Sequence, residues 1–96
     1  MKHGEQVKIS MLETGMSVWL EDYAKVSASE IARRMGIRHS NVFYHFPKGT
    51  LKQAIAEYAV RVRNPAMIRF LIATGNDAVS ILTPEERMAF LQVEPI

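Results

Sequence analysis

The feature that most constrains the fold is a very short connection between two predicted helices. Residues 27–30, Ser-Ala-Ser-Glu, form a capping box in which Ser27 accepts from the Glu30 amide and Glu30 reaches back, so a helix begins here. Gly36 suits the left-handed conformation that ends such a helix. Only two residues separate Gly36 from the next helical stretch, near residues 39–46. So short a turn predicts a helix-turn-helix.

Helical spacing of apolar residues continues on both sides of this pair. Before it, apolar residues recur at intervals of three and four, which predicts an amphipathic first helix. Gly15 interrupts that helix at a cost of about 1 kcal/mol relative to alanine, so we expect a close helix crossing there. After the pair, Thr50 or Gly49 caps a long fourth helix that stops at residues 64–65, Asn-Pro. The apolar positions of the first helix are Ile9, Leu12, Met16, Trp19, Leu20 and Tyr23.

The last third of the chain is mostly apolar. Between residues 65 and 82 only Arg69 and Asp77 are charged, and the predicted helix over residues 65–73 is apolar nearly all round. Such a helix in a small chain is expected to be buried on two sides, by its own domain and by a second copy. We therefore expect a homodimer. The candidate dimer contacts are Met67, Ile68, Leu71 and Ile72.

Two further signals complete the predicted order of helices. Residues 75–77, Gly-Asn-Asp, predict a turn, and residues 83–86, Thr-Pro-Glu-Glu, are a second capping box that begins a short helix over residues 83–92. The sequence therefore predicts an all-α fold, with a homeodomain-like three-helix core and additional C-terminal helices. We expect residues 1–63 to form one domain and residues 64–96 a short helical extension that closes the core or dimerises.

Composition excludes several classes of function. The chain has no cysteine, which excludes disulfides, thiol catalysis and thiolate metal sites and suits a reducing cytoplasm. No apolar run approaches the roughly 20 residues that span a bilayer, and the first ten residues lack the apolar core of a signal peptide. We find no catalytic triad, carboxylate pair, phosphate loop or metal-ligand cluster. We expect a cytoplasmic protein that is not an enzyme and has no cofactor, metal or membrane partner.

Positive charge is concentrated in one part of the chain. Residues 33–63 contain seven Lys or Arg and a single acid, Glu57, and so carry +6, while the whole chain carries +2 and the remainder −4. A concentrated positive segment is typical of a surface that binds a polyanion, although a charged solvated surface is equally compatible with it. The segment contains the predicted second helix of the pair.

The predicted helix-turn-helix therefore has a candidate double-stranded DNA surface. The major groove, about 12 Å wide, admits one helix, in which Asn pairs with adenine, Arg with guanine, and an aromatic ring rests on a thymine methyl. Val42 and Phe46, four apart, would face the core. The candidate base-reading residues are Arg38, His39, Ser40, Asn41, Phe43 and Tyr44. The candidate phosphate contacts are Ser27, Arg33, Arg34, His45 (which packs between helices as the alternative), Lys48, Thr50 and Lys52.

Residues 31–48, IARRMGIRHSNVFYHFPK, resemble the DNA-binding domain of the tetracycline-repressor (TetR) family. That family has Ile-Ala, then Gly-Val-Ser, then an aliphatic-Tyr-x-His-Phe ending and a lysine that opens the fourth helix. The resemblance covers about residues 7–59, and residues 44–48, Tyr-His-Phe-Pro-Lys, are its most specific part. Phe43 stands where the family usually has tyrosine. The resemblance implies DNA binding, but only residues 65–96 follow in place of the family's large effector domain, so we expect no small-molecule ligand.

These features favour a transcriptional regulator, a repressor that binds a palindromic operator as a dimer without an inducer. The alternative is a protein-interaction module, such as an anti-repressor or polymerase modulator, that keeps the helix-turn-helix shape and binds another protein through its apolar C-terminal helices. The positive segment with its polar helix face favours DNA.

Overall fold

A computed structural model of the chain describes residues 2–92, with side chains from Gly4 onward, and shows an all-α fold without strands in that range. This confirms the predicted fold class. Met1 and residues 93–96, the outer ends of the two predicted domains, lie outside the described residues. The α-helices are α1 (Lys2–Glu21), α2 (Ala28–Met35), α3 (His39–His45), α4 (Leu51–Arg61), α5 (Pro65–Ala73) and α6 (Pro84–Leu91), and short 3₁₀ helices span Tyr23–Lys25 and Asp77–Ile81.

The contacts divide the chain into two compact units, and the division falls between Ile55 and Ala56, inside α4. The first unit contains α1, α2, α3 and the first turn of α4. The second contains the rest of α4 together with α5 and α6. A division by contacts does not define a functional boundary, so the expected domains 1–63 and 64–96 stay a prediction.

Both ends of α2 have the predicted capping residues. The Ser27 Oγ accepts from the Glu30 amide at 3.0 Å, and Gly36 is left-handed with φ +70°. The Ile37 amide then donates to the Ala32 carbonyl at 3.0 Å, which closes the end of α2. The reciprocal half of the predicted capping box is replaced, because the Glu30 carboxylate accepts from arginine side chains instead. Charge-assisted bonds to guanidinium are stronger than a bond to a neutral amide.

Gly15 marks a close crossing of three helices in the first unit. A Cβ atom added to Gly15 would lie 2.5 Å from the Cδ1 of Ile55 and 3.3 Å from the Cδ1 of Ile31. Ile55 belongs to α4 and Ile31 to α2, and both side chains are fully buried. The absence of a side chain on α1 therefore lets two isoleucines approach its backbone, as the sequence predicts.

The buried face of α1 is rotated from the predicted one. Met11 and Val18, on either side of Gly15, are fully buried, whereas Ile9 and Leu20 are exposed. At 100° per residue, Ile9 and Leu20 lie at the edge of a stripe centred near Gly15. Tyr23 is also exposed and belongs to a 3₁₀ helix rather than to α1. The helix begins at Lys2.

In the second unit, α5 has the predicted bounds and start. The Asn64 Oδ1 accepts from the Met67 amide at 3.0 Å, and Pro65 occupies the first turn. Met67, Ile68 and Leu71 are fully buried. The core of the second unit therefore combines these three side chains of α5 with the buried residues of α4.

The predicted second capping box begins α6. The Thr83 Oγ1 accepts from the Glu86 amide and the Glu86 Oε1 from the Thr83 amide, each at 3.0 Å. Arg87 donates to the Leu82 carbonyl at 2.8 Å, and Arg63 at the end of α4 pairs with Glu86 at 3.2 Å. None of the residues of this helix is fully buried. No helix in residues 2–92 is long and apolar enough to cross a membrane.

The crossing at Gly15 gives the first testable prediction. We expect Gly15→Ala to lower the free energy of unfolding by about 1–2 kcal/mol, because overpacking a dense core outweighs the gain in helix propensity. Gly4→Ala is the matched control on the same helix, since nothing lies within 4 Å of its added Cβ, and it should leave stability unchanged or raise it. Urea unfolding followed by circular dichroism measures both. Equal stability of the two variants would show that the crossing tolerates a methyl group.

Candidate nucleic-acid interface

The outer face of α3 carries polar and aromatic side chains. Val42 is fully buried and Phe46, four residues later, is buried as well, so these two set the inner face as predicted. Tyr44 points the other way and keeps 83% of its surface exposed. The predicted base-reading residues are all exposed: Arg38, His39, Ser40, Asn41, Phe43 and Tyr44. The structure therefore gathers the whole set on one short surface segment, and their role in reading bases stays a prediction.

Three of these side chains are polar and unpaired. Arg38, Ser40 and Asn41 make no side-chain hydrogen bond or ion pair with the described part of the chain. Arg38 offers the forked donors of a guanidinium, and Asn41 offers an amide donor beside a carbonyl acceptor. These are the groups that a base edge can engage in pairs.

Ring contacts order the aromatic side chains of α3. The His39 and Phe43 rings meet edge to face with centroids 6.0 Å apart, and the Tyr44 and His45 rings do so at 5.1 Å. His45 is half-buried and its ring also lies 6.4 Å from that of Phe46. Its position fits the packing alternative of the sequence analysis, and phosphate contact by His45 stays a prediction.

An open groove lies where α2 meets the start of α3. It brings a candidate phosphate contact, Arg33, next to three candidate base readers. The lining residues are Ser29, Ala32, Arg33, Ile37, Arg38, His39 and Ser40. This is the arrangement expected if the turn sits at the border between a groove of DNA and its backbone.

A second groove lies at the other end of α3 and joins residues distant in sequence. Ser27 at the start of α2, Lys52 in the first turn of α4 and Phe43 of α3 all line it. The Lys52 ammonium lies 4.7 Å from the centroid of the Tyr23 ring, which holds the charge by a cation–π contact. The Ser27 hydroxyl accepts from an amide and retains its own hydrogen to donate. A hydroxyl and an ammonium beside one groove can both serve a phosphate oxygen.

The turn between α3 and α4 contains two further candidates with different surroundings. The Thr50 hydroxyl donates to the Pro47 carbonyl at 2.7 Å, so its hydrogen is committed to the turn. Lys48 is exposed and makes no ion pair with the described residues. Lys48 is therefore the better placed of the two for a phosphate, and the contact by Thr50 stays a prediction.

Arg33 and Arg34 are paired within the chain. Glu30 accepts from Arg33 at 2.6 and 3.2 Å and from the Nε of Arg34 at 2.8 Å. Glu21, at the end of α1, accepts from the two terminal nitrogens of Arg34 at 2.7 and 2.9 Å. Much of the positive charge that the sequence places on α2 is thus balanced before any ligand arrives.

The pKa values of these groups follow from the pairing. Hydrogen bonds from Arg33 and then Arg34 lower the pKa of Glu30 to about 2, and the bonds from Arg34 lower the pKa of Glu21. The pKa of Arg34 is raised, first by Glu21 and then by Glu30. All four groups remain charged at neutral pH.

Sequence reasoning missed the residues that support this surface. Glu30 precedes its arginines by three and four positions on one helix, a spacing that predicts ion pairs and could have revealed it. Glu21 contacts Arg34 and Tyr23 contacts Lys52, and no local sequence pattern predicts either contact. The ammonium of Lys8 on α1 lies 5.5 Å from the centroid of the Phe46 ring, and this contact between distant residues also has no local sequence signal.

The candidate dimer contacts on α5 lie mostly inside the chain. Met67, Ile68 and Leu71 have no exposed surface, and Ile72 alone of the four is half-buried. The burial explains why α5 is apolar nearly all round without a second copy. A contact through the three buried side chains would require the second unit to open, and a dimer through α5 stays a prediction.

Comparisons with protein families, with curated proteins and with solved structures give no match. In the part of the chain that the structure describes, no three His, Asp or Glu side chains are grouped to hold a metal ion.

The low pKa of Glu30 predicts how stability depends on pH. A carboxyl group whose pKa is lower in the folded than in the unfolded chain stabilises the fold above its ordinary pKa of 4.5, and this stabilisation is lost as the pH falls toward about 2. We therefore expect the melting temperature of the wild type to fall more steeply than that of Glu30→Gln between these pH values. Glu5→Gln, at an exposed position on α1, should keep the wild-type steepness. Parallel curves for the wild type and Glu30→Gln would contradict the pairing.

Proposed function

We propose that the chain is a sequence-specific DNA-binding transcriptional regulator, a repressor that places α3 in the major groove of double-stranded DNA. The observation that carries the proposal is the outer face of α3, where Arg38, Ser40 and Asn41 are exposed and unpaired beside the exposed ring of Tyr44. Burial of Val42 and Phe46 directs this face outward. A polar and aromatic helix face of this kind matches the donors, acceptors and methyl groups of base edges.

The grooves at both ends of α3 support the proposal. Ser27 and Lys52 line one groove and Lys48 lies in the adjoining turn, so three candidate phosphate ligands lie beyond the C-terminal end of α3. Arg33 and Arg38 line the other groove, at the N-terminal end of α3. Contacts to phosphates on both sides of a base-reading helix set its register on the duplex.

Action as a dimer without an inducer is part of the same proposal. A helix of seven residues is only about 10 Å long and can contact few base pairs, so a single copy gains limited affinity and specificity. Two copies related by two-fold symmetry read both halves of a palindrome.

Exposed apolar side chains of the second unit favour contact with another polypeptide. Met88 and Ile81 each keep 61% of their surface exposed, and Leu91, three residues after Met88 on α6, is exposed as well. We assign the exposed face of α6 that carries Met88 and Leu91 to a second copy of the chain. The same observation favours the second candidate function, a protein-interaction module in which a different protein covers it.

Base reading and phosphate binding predict different responses to mutation. We expect Asn41→Ala or Arg38→Ala to cost about 1–3 kcal/mol on the preferred DNA sequence and little on random duplex, because each removes a paired contact with a base. Lys48→Ala should weaken binding to all duplexes alike and lower the salt slope by about one unit. Selection from a random DNA pool identifies the preferred sequence, and fluorescence anisotropy at several salt concentrations measures binding. Equal losses on both DNAs for Asn41→Ala and Arg38→Ala would show that α3 does not read bases.

The assembly is tested by sedimentation at tens of micromolar. We expect a wild-type dimer, and a folded monomer for Met88→Glu, because an unpaired charge in an apolar contact costs several kcal/mol. Ala89→Glu, at the adjacent exposed position, is the matched control and should remain a dimer. A wild-type monomer that still protects a palindromic site would refute the dimer. A wild-type monomer that binds no duplex would favour the protein-interaction module.

A further inference from the structure

Glu30 holds the guanidinium of Arg33 through both carboxylate oxygens. The Nη2 of Arg33 donates to Oε2 at 2.6 Å and its Nε to Oε1 at 3.2 Å. The side chain of Arg33 nevertheless keeps 70% of its surface exposed, whereas that of Glu30 keeps only 19%. The pair therefore presents an arginine to solvent with a carboxylate packed behind it.

The location of this pair connects it with the candidate interface. Arg33 lines the same groove as Arg38, His39 and Ser40 at the start of α3. A duplex that engages those three side chains would bring its backbone close to Arg33. The carboxylate that already occupies the forked donors of Arg33 is then a direct competitor of a phosphate oxygen.

Arg34 shares Glu30 but has a different role. Its side chain is only 25% exposed, and both of its terminal nitrogens donate to Glu21 at the end of α1. This bidentate contact ties α2 to α1 and is independent of Glu30. Neutralising Glu30 would remove the charged acceptor of the Arg34 Nε but leave both terminal nitrogens of Arg34 on Glu21, whereas Arg33 would lose its charged partner.

We infer that Glu30 competes with DNA phosphate for Arg33 and thereby limits the affinity of the chain for every duplex, an inference that rests on the proposed DNA binding. An arginine balanced by its own carboxylate exchanges one anion for another when DNA arrives. It therefore adds little to the release of counterions, which drives sequence-independent binding. Glu30 would thus act on DNA binding through its pairing with Arg33 and not by touching the duplex.

Glu30→Gln tests the inference, because glutamine keeps the shape and the helix-start preference of glutamate without its charge. The measurement is the affinity for a random duplex and for the selected preferred duplex over a range of salt concentrations, by fluorescence anisotropy. We expect tighter binding of both at low salt and a salt slope steeper by about 0.9, the contribution of one additional neutralised phosphate. A purely structural role would not change this slope.

Two comparisons separate the release of Arg33 from a general change in charge. Glu21→Gln removes the same charge from the same network but leaves the pair of Arg33 and Glu30 intact, so its slope should match that of the wild type. Arg33→Ala in the Glu30→Gln background should remove the gain, so Glu30→Gln should tighten binding only when Arg33 is present. This double-mutant cycle isolates the coupling between the two residues.

The salt slopes of these variants distinguish failure of the inference from failure of the proposed DNA binding. An unchanged slope in Glu30→Gln, or a gain that persists without Arg33, would overturn the inference while DNA binding stands. A wild type that binds no duplex at low salt would overturn the proposed function, and the inference with it. Circular dichroism verifies folding of each variant. If Glu30→Gln unfolds, Glu30→Asp keeps the charge but draws the carboxylate back by one methylene, and it should also tighten binding through Arg33.

Discussion

The first unit depends on the close approach of helices at Gly15. Without a Cβ at this position, Ile31 of α2 and Ile55 of α4 reach the backbone of α1. The position of α2 then determines that of α3, because Gly36 and a two-residue turn leave little freedom between them. The orientation of α3 thus depends on packing at Gly15, a residue of α1 that has no side chain and precedes α2 in the chain.

Ion pairing decides how much of the positive charge faces outward. The segment of residues 33–63 carries a large excess of basic residues, yet Arg33 and Arg34 are balanced by Glu30 and Glu21. Within this segment, Arg38, Lys48 and Lys52 lie near α3 and have no acidic partner among the described residues. They lie at both ends of the helix, a distribution suited to two flanking phosphates. Net charge along a sequence therefore overstates the charge offered to a ligand when acids outside the segment fold back onto it.

Local signals predicted most of the helix boundaries and the inner face of α3. Capping residues, Gly36 and the spacing of Val42 and Phe46 act over a few positions, so their effect can be read without the fold. The cation–π contact of Lys52 with Tyr23 could not be predicted this way, because it joins residues almost thirty positions apart. The rotated face of α1 was missed because apolar residues at the edge of a stripe satisfy the same spacing as those at its centre.

The apolar helix α5 shows which properties the sequence determines and which depend on the tertiary structure. The sequence by itself determined that this helix begins at Pro65, ends at Ala73 and has to be buried, since caps and apolar side chains act wherever the helix lies. Only the tertiary structure decided what buries it. Its own chain covers Met67, Ile68 and Leu71, while Met88 on α6 is left exposed. The hydrophobic effect rewards removal of apolar surface from water without regard to the partner, so a sequence pattern specifies burial but not which surface provides it.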